Sequence, residues 1–303
     1  MNIINYENNE AVKYNTAVAL GNFDGLHIGH QILINTMTKS AKERKLKSAV
    51  LLFKNHTRTV TKDLKPGILT NYKQKIDILD DLKVDIVYTM DFNKDIMKLS
   101  CESFAENILV KKLRAKLVVI GFNYRFGYKA SGDSIYLAQL GEKYGFEVIV
   151  LGPVYENGIV VSSTIIRKLI KNARIKEATN LLGKPYTING VVVDGKKRGT
   201  AMGFPTANLK LDSNYLIPKF GVYKTNTIFE GNKYLSITNV GKNPTFEGES
   251  ISKEPHILNF NESIYGRKIS VEFIDFVRDE KRFTNKDALK DQVMKDIETV
   301  KSN

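Results

Sequence analysis

The chain has 303 residues, of which 42% are hydrophobic and 26% are charged, and this ordinary globular composition excludes a disordered or low-complexity protein. A chain of this length predicts about two domains. The net charge is +13, but the lysines are spread along the chain among acidic residues. We interpret the surplus as a general basic surface bias, because charge alone does not separate a nucleic-acid partner from a phosphate-rich substrate.

Three features concern the compartment. The first ten residues are too polar for a signal peptide, and no apolar run approaches the length of a membrane span. Cys101 is the only cysteine, so an internal disulfide is excluded and a reducing environment fits. We therefore expect a soluble, cytoplasmic protein.

The first part of the chain alternates strand and helix patterns. Strand-like apolar runs lie at residues 16–21, 49–53, 116–121 and 146–151. Helical spacing is shown by Ile28, Ile32, Leu33 and Met37, and again by Phe104, Ala105, Ile108 and Leu109. This alternation predicts an α/β domain with a doubly wound, Rossmann-like parallel sheet. Ligands of such sheets bind beyond the carboxyl ends of the strands, so the loops after these runs are the candidate sites.

The pattern changes near Leu182-Gly183. Beyond it, period-two patterning appears, as at Ile269, Val271 and Phe273, and turn residues recur at 194–195, 230–232 and 265–266. This predicts an antiparallel sheet or barrel. We place the boundary there, giving domains 1–182 and 183–303.

A helix is predicted to end the chain. Its apolar face would comprise Leu289, Val293, Ile297 and Val300. Thr284 is the expected N-cap residue.

The densest motif in the first domain is Gly21-Asn-Phe-Asp-Gly-Leu-His-Ile-Gly-His30, which follows a strand and opens a helix. Backbone N–H groups and the helix dipole favour anions at such a position. His27 and His30 are three residues apart, so they share a helix face and can donate hydrogen bonds to phosphate oxygens. Two alternatives remain open: a metal-binding histidine pair, although no cysteine or third histidine lies nearby in sequence, and a purely structural loop.

This motif resembles that of the nucleotidyltransferase superfamily, in the form that bacterial FAD synthetases have. Residues 121–127, with Asn123, and residues 162–167 are similar to two further motifs of those enzymes. The resemblance implies adenylyl transfer from ATP to FMN, with His27 and His30 as catalytic residues acting on phosphates. It implies ATP or flavin contacts for Gly21, Asn22, Phe23, Asp24, Gly25, Gly29, Asn123, Ser163, Thr164 and Arg167. Residues 54–57 depart from the family's Pro-His-Pro-like stretch, and we assign His56 no role.

The second domain carries a glycine-bearing basic cluster over residues 195–209, which lacks the arrangement of a P-loop. Thr206 and Asn208 are two residues apart, so on a strand they point to one side and could ligate Mg²⁺. A glycine-rich hairpin without ligand is the alternative.

The segment Gly203-Phe-Pro-Thr-Ala-Asn-Leu209 is highly similar to the hallmark of riboflavin kinases, and further segments as far as Phe283 follow in that family's order. The resemblance implies a small Greek-key β-barrel with a following helix. Glu254 would be the general base that accepts the proton of the ribityl 5′-hydroxyl. Pro255 beside it departs from the family pattern. Further ligand contacts are implied for Gly195, Arg198, Gly199, Gly203, Pro205, Thr206, Asn208, Asn239 and Arg278.

Together the two resemblances identify the chain with the prokaryotic bifunctional riboflavin kinase/FMN adenylyltransferase (FAD synthetase) family. They imply ATP, riboflavin, FMN and FAD as substrates and products, with Mg²⁺ as cofactor and Thr206 and Asn208 as its ligands. We expect a monomer or weak homo-oligomer without nucleic-acid or membrane partners. The alternatives are a nucleotidyltransferase of other specificity, a nucleic-acid-binding protein, and a chain in which one half only binds flavin.

Overall fold

The computed structural model describes residues 1–55, 67–194, 204–245, 248–281 and 283–302. The chain divides into two compact units, Met1–Ser163 and Thr164–Asn303. The domain boundary at residue 183 stays a prediction, since it lies two helices downstream of this division. Among the helices described, none has the length and apolar character needed to cross a bilayer.

The N-terminal unit is built on a six-stranded parallel sheet. Its strands are β1 (Asn2–Asn5), β2 (Thr16–Leu20), β3 (Lys47–Phe53), β4 (Ile86–Met90), β5 (Ala115–Gly121) and β6 (Glu147–Leu151). They lie in the order β1-β4-β3-β2-β5-β6, and every neighbouring pair is parallel. A separate hairpin is formed by β7 (Tyr155–Glu156) and β8 (Ile159–Val160). The prediction of a doubly wound sheet is confirmed.

Helices connect the strands of this unit. They are α1 (Ile28–Glu43), α2 (Tyr72–Asp81), α3 (Lys94–Met97), α4 (Cys101–Ser103) and α5 (Ser134–Tyr144). The helix predicted around Phe104 is a π-helix, Phe104–Lys112, which follows α4 directly. Its predicted apolar residues are buried, as expected.

Strand β2 shows why the sheet is covered on both faces. All five of its residues are buried. Val18 and Leu20 belong to one apolar cluster, whereas Ala17 and Ala19 belong to a second cluster on the opposite face. Successive side chains of a strand point to opposite faces, so a continuous apolar run is what a doubly covered strand requires.

The strand order reverses beside β2. The chain runs from β2 to β3 on one side and returns to β5 on the other side. Such a switch point opens a crevice at the carboxyl ends of the two strands, where α/β proteins bind ligands. The loop after β2 and the loop after β5 both begin there.

The C-terminal unit contains two helices and an antiparallel sheet. The helices are α6 (Ser163–Lys171), whose first residue closes the N-terminal unit, and α7 (Ile175–Leu182). The strands are β9 (Tyr186–Val193), β10 (Asn208–Leu211), β11 (Gly221–Phe229), β12 (Asn232–Thr245), β13 (Gly248–Ile257) and β14 (Lys268–Arg278), and α8 (Lys286–Ser302) follows. The order is β10-β9-β14-β11-β12-β13.

This order contains a Greek key. Strands β11, β12 and β13 form consecutive hairpins, and β14 returns to lie beside β11. The backbone N–H of Ala207, just before β10, donates to the carbonyl of Pro255 in β13 at 2.9 Å. The two outermost strands therefore meet, and the sheet closes into a nearly complete barrel, as predicted.

The barrel interior combines aromatic rings with a hydroxyl network. Tyr223 packs edge-to-face on Phe273 at 5.1 Å between ring centroids. Further along β11, the hydroxyl of Thr225 lies 2.9 Å from that of Ser236 and 2.7 Å from that of Thr238, and all three side chains are fully buried. The network satisfies these hydroxyls without water, which burial of polar groups requires.

Helix α8 packs on the barrel through the predicted face. Ile297 and Val300 are buried in a cluster with Val222 and Ile237 of the barrel. The predicted cap at Thr284 is wrong: the side-chain oxygen of Asn285 accepts the N–H of Ala288 at 2.8 Å. An N-cap side chain bonds the N–H two or three residues after it, so the helix that begins at Lys286 is capped by the asparagine.

Candidate active sites

The loop between β2 and α1 has an unusual backbone. Phe23, Gly25 and Leu26 have φ values of 48°, 86° and 41°. Glycine adopts this left-handed region freely, but phenylalanine and leucine do so at a cost. Both of these side chains are fully buried. Burial of their apolar side chains therefore holds the loop in a conformation that the local sequence disfavours.

Hydrogen bonds fasten this loop to its surroundings. One carboxylate oxygen of Asp24 accepts the backbone N–H groups of Leu69 and Thr70 at 3.0 and 3.3 Å. The hydroxyl of Thr70 accepts the N–H of Gly25 at 3.0 Å, and the hydroxyl of Ser163 donates to the Asp24 carbonyl at 2.8 Å. Asp24 and Ser163, both predicted to contact ligand, thus also hold the loop in place.

His27 and His30 lie face to face at the start of α1. Their ring centroids are 3.7 Å apart with an interplanar angle of 14°. His27 is the N-cap residue, and its Nδ1 accepts the backbone N–H of His30 at 3.3 Å. A neutral imidazole that accepts at Nδ1 carries its proton on Nε2, so His27 presents a donor at its far edge. A Cβ on Gly29 would lie 3.3 Å from His27 Nδ1, so the close approach of this ring favours glycine there.

Both imidazoles are neutral at physiological pH. Burial lowers the pKa of His27 to about 4, against the opposing effect of Asp24. Burial also lowers the pKa of His30 well below its ordinary value, with smaller contributions from His27 and from the nearby cation Lys75. Nδ1 of His30 is buried and has no hydrogen-bond partner within the described part of the chain. The pair therefore offers hydrogen-bond donors at the switch point without adding positive charge.

Sequence reasoning missed Lys75 altogether. Its ammonium group donates to the backbone carbonyl of Asn22 at 3.3 Å, within the motif loop. Lys75 lies one turn into α2 and is more than forty positions from the histidines in the chain, so no local sequence pattern marks it.

The other residues predicted to contact ligand from the N-terminal motifs lie in two different parts of the chain. Gly21 directly follows β2, and Asn123 is exposed just after β5, so both lie at the carboxyl edge of neighbouring strands. Thr164 and Arg167 lie in α6, within the C-terminal unit, and their contact with nucleotide stays a prediction. His56 falls outside the described residues.

In the barrel, two predicted residues face each other across a strand pair. Asn239 of β12 and Glu254 of β13 are directly opposite in the antiparallel register. Directly opposite side chains lie on the same face of a sheet with their Cβ atoms roughly 5 Å apart. The amide and the carboxylate therefore lie next to each other on one face of the sheet.

The segment before β10 runs alongside this pair. Asn208 is the first residue of β10, whereas Thr206 precedes the strand. The expectation that both residues lie on one strand is therefore met only by Asn208. The bond from Ala207 to the Pro255 carbonyl fixes the segment beside β13. Nδ1 of His256 lies 2.8 Å from the carbonyl of Pro205 and adds a second link.

Pro255 fits its strand because β13 is an edge strand of the sheet. Proline has no N–H to donate to a neighbour, and edge positions tolerate it. Its carbonyl still accepts from Ala207. The departure at Pro255 therefore leaves the register between Glu254 and Asn239 intact.

Arg278 is placed in an ion pair. Its guanidinium donates to both carboxylate oxygens of Asp296 at 2.7 to 2.9 Å and to the carbonyl of Asp279 at 3.0 Å. The two side chains of the pair are 15% and 5% exposed. Arg278 thus joins β14 to α8, and its predicted ligand contact stays a prediction.

The other predicted glycine and arginine contacts of the kinase motif lie outside the described residues. These are Gly195, Arg198, Gly199 and Gly203. Within the described residues, no three histidine, cysteine, aspartate or glutamate side chains cluster as a metal site would require. The hydroxyl of Thr206 and the amide oxygen of Asn208 are hard oxygen donors of the kind that Mg²⁺ accepts, so the residues present fit that ion.

Comparison with known families matches two models in tandem. Residues 9–165 match the model described as FAD synthetase, and residues 182–303 match the model described as riboflavin kinase.

Curated relatives match nearly the whole chain. A bifunctional riboflavin kinase/FMN adenylyltransferase from Buchnera aphidicola is 37% identical, with 97% of this chain and 96% of the relative covered. One of the same description from Listeria monocytogenes is also 37% identical, with 93% and 90% covered.

One solved structure matches the chain from end to end. It is a crystal structure described as a macrolide-efflux protein from Streptococcus pneumoniae, 32% identical, with a TM-score of 0.91 and 99% of each chain covered. The description as an efflux protein applies to that protein. The two matched family models concern flavin enzymes instead.

Proposed function

Because the chain belongs to the bifunctional riboflavin kinase/FMN adenylyltransferase family, we propose that the His27–His30 loop carries one reaction and the Glu254 strand carries the other. The chain phosphorylates riboflavin with ATP to give FMN, and it transfers AMP from ATP to FMN to give FAD and pyrophosphate. The observation that carries this conclusion is the tandem of two family matches in one chain whose relatives it covers almost completely.

Adenylyl transfer at the N-terminal unit needs no protein nucleophile. A phosphate oxygen of FMN attacks the α-phosphorus of ATP, and the bond from that phosphorus to the bridging oxygen breaks. The electron pair leaves with pyrophosphate. Catalysis therefore depends on aligning the two substrates and on stabilising charge around the phosphorus.

The neutral histidine pair suits this task. The proton on Nε2 of His27 can be donated to a phosphate oxygen, and the N-terminus of α1 adds its partial positive charge. His30 lies parallel to His27 and shares its face of the helix. We assign both residues to the phosphates, and we assign Asn123 to the flavin on the neighbouring strand. Ser163, Thr164 and Arg167 are assigned to the triphosphate, since hydroxyls and a guanidinium suit phosphate oxygens.

Phosphoryl transfer in the barrel calls for a base. The 5′-hydroxyl oxygen of riboflavin attacks the γ-phosphorus of ATP, its proton passes to the carboxylate of Glu254, and ADP leaves. Asn239, directly opposite, can orient that carboxylate or the hydroxyl by a hydrogen bond. The link between Ala207 and Pro255 keeps the Thr206–Asn208 segment next to the base.

Magnesium would be held by Thr206 and Asn208 together with ATP phosphates, and it would neutralise phosphate charge there. The remaining kinase contacts are assigned to Gly195, Arg198, Gly199, Gly203 and Pro205, and Arg278 is retained as a candidate flavin contact.

We also infer that the protein works in the cytoplasm, as a monomer or weak homo-oligomer and without a nucleic-acid partner. Its use of ATP and its free, buried Cys101 support a reducing interior.

A time course tests the proposed function. The protein is incubated with riboflavin, ATP and Mg²⁺, and riboflavin, FMN and FAD are separated by chromatography at intervals. We expect FMN to appear first and FAD to follow at its expense. Absence of FAD after long incubation, with FMN present, would refute the assignment of adenylyl transfer to this chain.

A further inference from the structure

The start of helix α2 is joined to the histidine loop. Asn71 and Gln74 form a capping box, in which each side chain accepts the backbone N–H of the other at 2.8 Å. The two residues before the cap bind the Asp24 carboxylate through their N–H groups. The Asp24 carboxylate therefore joins the loop to the two residues that precede α2, and the capping box fixes the start of the helix. The first turn of α2 thus has a defined position relative to the loop.

Lys75 is the residue of α2 that reaches the loop. Its backbone N–H bonds the Asn71 carbonyl at 3.1 Å, which places it one turn into the helix. Its ammonium group donates to the carbonyl of Asn22 at 3.3 Å. Asn22 is exposed, so the ammonium lies at the open side of the loop that carries both histidines.

The chemistry at this loop requires more positive charge than the histidines supply. The departing pyrophosphate gains negative charge as the bond to the α-phosphorus breaks. His27 and His30 are neutral, and the start of α1 offers about half an elementary charge. A lysine ammonium adds a full charge, and such a charge is worth most where it faces charge that develops in the transition state.

The position of Lys75 is consistent with this role. Its charge is felt at His30, since it contributes to the lowered pKa of that imidazole. The hydrogen bond to the Asn22 carbonyl adds little to stability, because an exposed carbonyl can be solvated by water equally well. A long cationic side chain that lies over this loop is suited to an anionic ligand such as phosphate.

We propose that Lys75 is a further catalytic residue of FMN adenylylation, which contacts the β- and γ-phosphates of ATP and stabilises the departing pyrophosphate. This inference rests on the proposed function of the same loop. It adds a residue that no sequence motif marks, and it assigns that residue to the leaving group rather than to FMN.

The test compares Lys75→Met with Lys73→Met. Lys73 lies on the same helix, is exposed, and pairs with Asp77 at 2.8 Å, so it provides a matched loss of charge away from the loop. FAD formation from FMN and ATP is measured, with pyrophosphate added as product inhibitor. Riboflavin phosphorylation by the same samples reports whether the rest of the chain is intact.

We expect Lys75→Met to lower kcat/KM for ATP by about 10²-fold, the scale of losing one aimed donor. The inhibition constant of pyrophosphate should rise about tenfold or more, the scale of one hydrogen bond between charged groups. The KM for FMN should stay within about twofold, and Lys75→Arg should recover part of the rate, because it keeps the charge. Lys73→Met should behave as the unchanged chain.

Equal rates for Lys75→Met and Lys73→Met would overturn the inference. If Lys75→Met lowers the stability of the N-terminal unit, the pyrophosphate inhibition constant of the remaining activity decides, and an unchanged constant would also overturn it. Failure of the unsubstituted chain to make FAD from FMN would instead refute the proposed function itself.

Discussion

Burial of His27 predicts that acid destabilises the N-terminal unit. The pKa of this histidine is about 4 in the folded chain, against an ordinary value of 6.5. Between these two values the unfolded chain binds more protons than the folded one, so the free energy of unfolding falls as pH falls. The contribution of neutral His27 is fully present above pH 6.5 and is lost by about pH 4.

The size of the effect follows from the same two values. Each pH unit within the window is worth about 1.4 kcal/mol, so the whole loss is about 3 kcal/mol and the loss down to pH 5 is roughly 2 kcal/mol. Protonation also places a proton on Nδ1, which then no longer accepts the N–H of His30 at the start of α1.

His27→Asn isolates this contribution. Asparagine is a good N-cap residue, so it can accept the same helix N–H, but it does not titrate. Amide hydrogen exchange of β2 and α1 at pH 7 and pH 5, corrected for intrinsic rates, measures the opening free energy of this unit. We expect the unsubstituted chain to lose roughly 2 kcal/mol more than the variant over this interval. Equal losses, or an NMR titration of His27 centred near its ordinary pKa, would refute the reasoning.

Three further substitutions test contacts within the units. Asp296→Ala leaves the Arg278 guanidinium buried without its carboxylate, and we expect urea unfolding to show a loss of roughly 3 kcal/mol in the C-terminal unit; a loss below about 1 kcal/mol would contradict a buried pair. Gly132→Ala places a methyl group 2.7 Å from Cys101 Sγ, and this overlap should cost about 1–3 kcal/mol in thermal unfolding of the N-terminal unit. An unchanged unfolding temperature would show that the site can accommodate the added methyl group. Thr225→Val removes the shared hydroxyl of the barrel network and should cost about 1–2 kcal/mol in urea unfolding, whereas an equally stable variant would show that the network is dispensable.

The sequence predicts those parts of the fold whose pattern is local. Residues 16–21 form a short apolar run that ends in glycine, and Thr16–Leu20 are indeed a central strand at the switch point. Alternation at Ile269, Val271 and Phe273 identifies β14, because one face of a barrel strand is buried. Strand β1 is not predicted, since only the two isoleucines of Asn2–Asn5 are apolar and the strand lies at the edge of the sheet.

The candidate site is predictable only as far as its motifs extend. The spacing of His27 and His30 predicts that they share a face, and their rings stack. Burial depends on the whole unit, so their neutrality is not visible in the motif. Lys75 reaches the loop through the contact between Asp24 and Thr70, which are 46 positions apart in the chain.

The same limit applies to the second unit. The motif predicts a ligand contact for Arg278, but its ion-pair partner Asp296 lies 18 positions away on another element. No sequence pattern within either segment predicts that ion pair.

We propose that two separate sites carry the two reactions, and two variants assayed side by side distinguish them. His30→Ala and Glu254→Gln are each incubated with ATP and Mg²⁺, first with riboflavin and then with FMN, and the flavins are quantified. We predict that His30→Ala accumulates FMN and forms FAD at least about 10²-fold more slowly, the scale of one lost donor. Glu254→Gln should form no FMN from riboflavin, yet convert supplied FMN to FAD at the normal rate. Loss of both activities in either variant, with the chain still folded, or full activity in either one, would contradict the assignment.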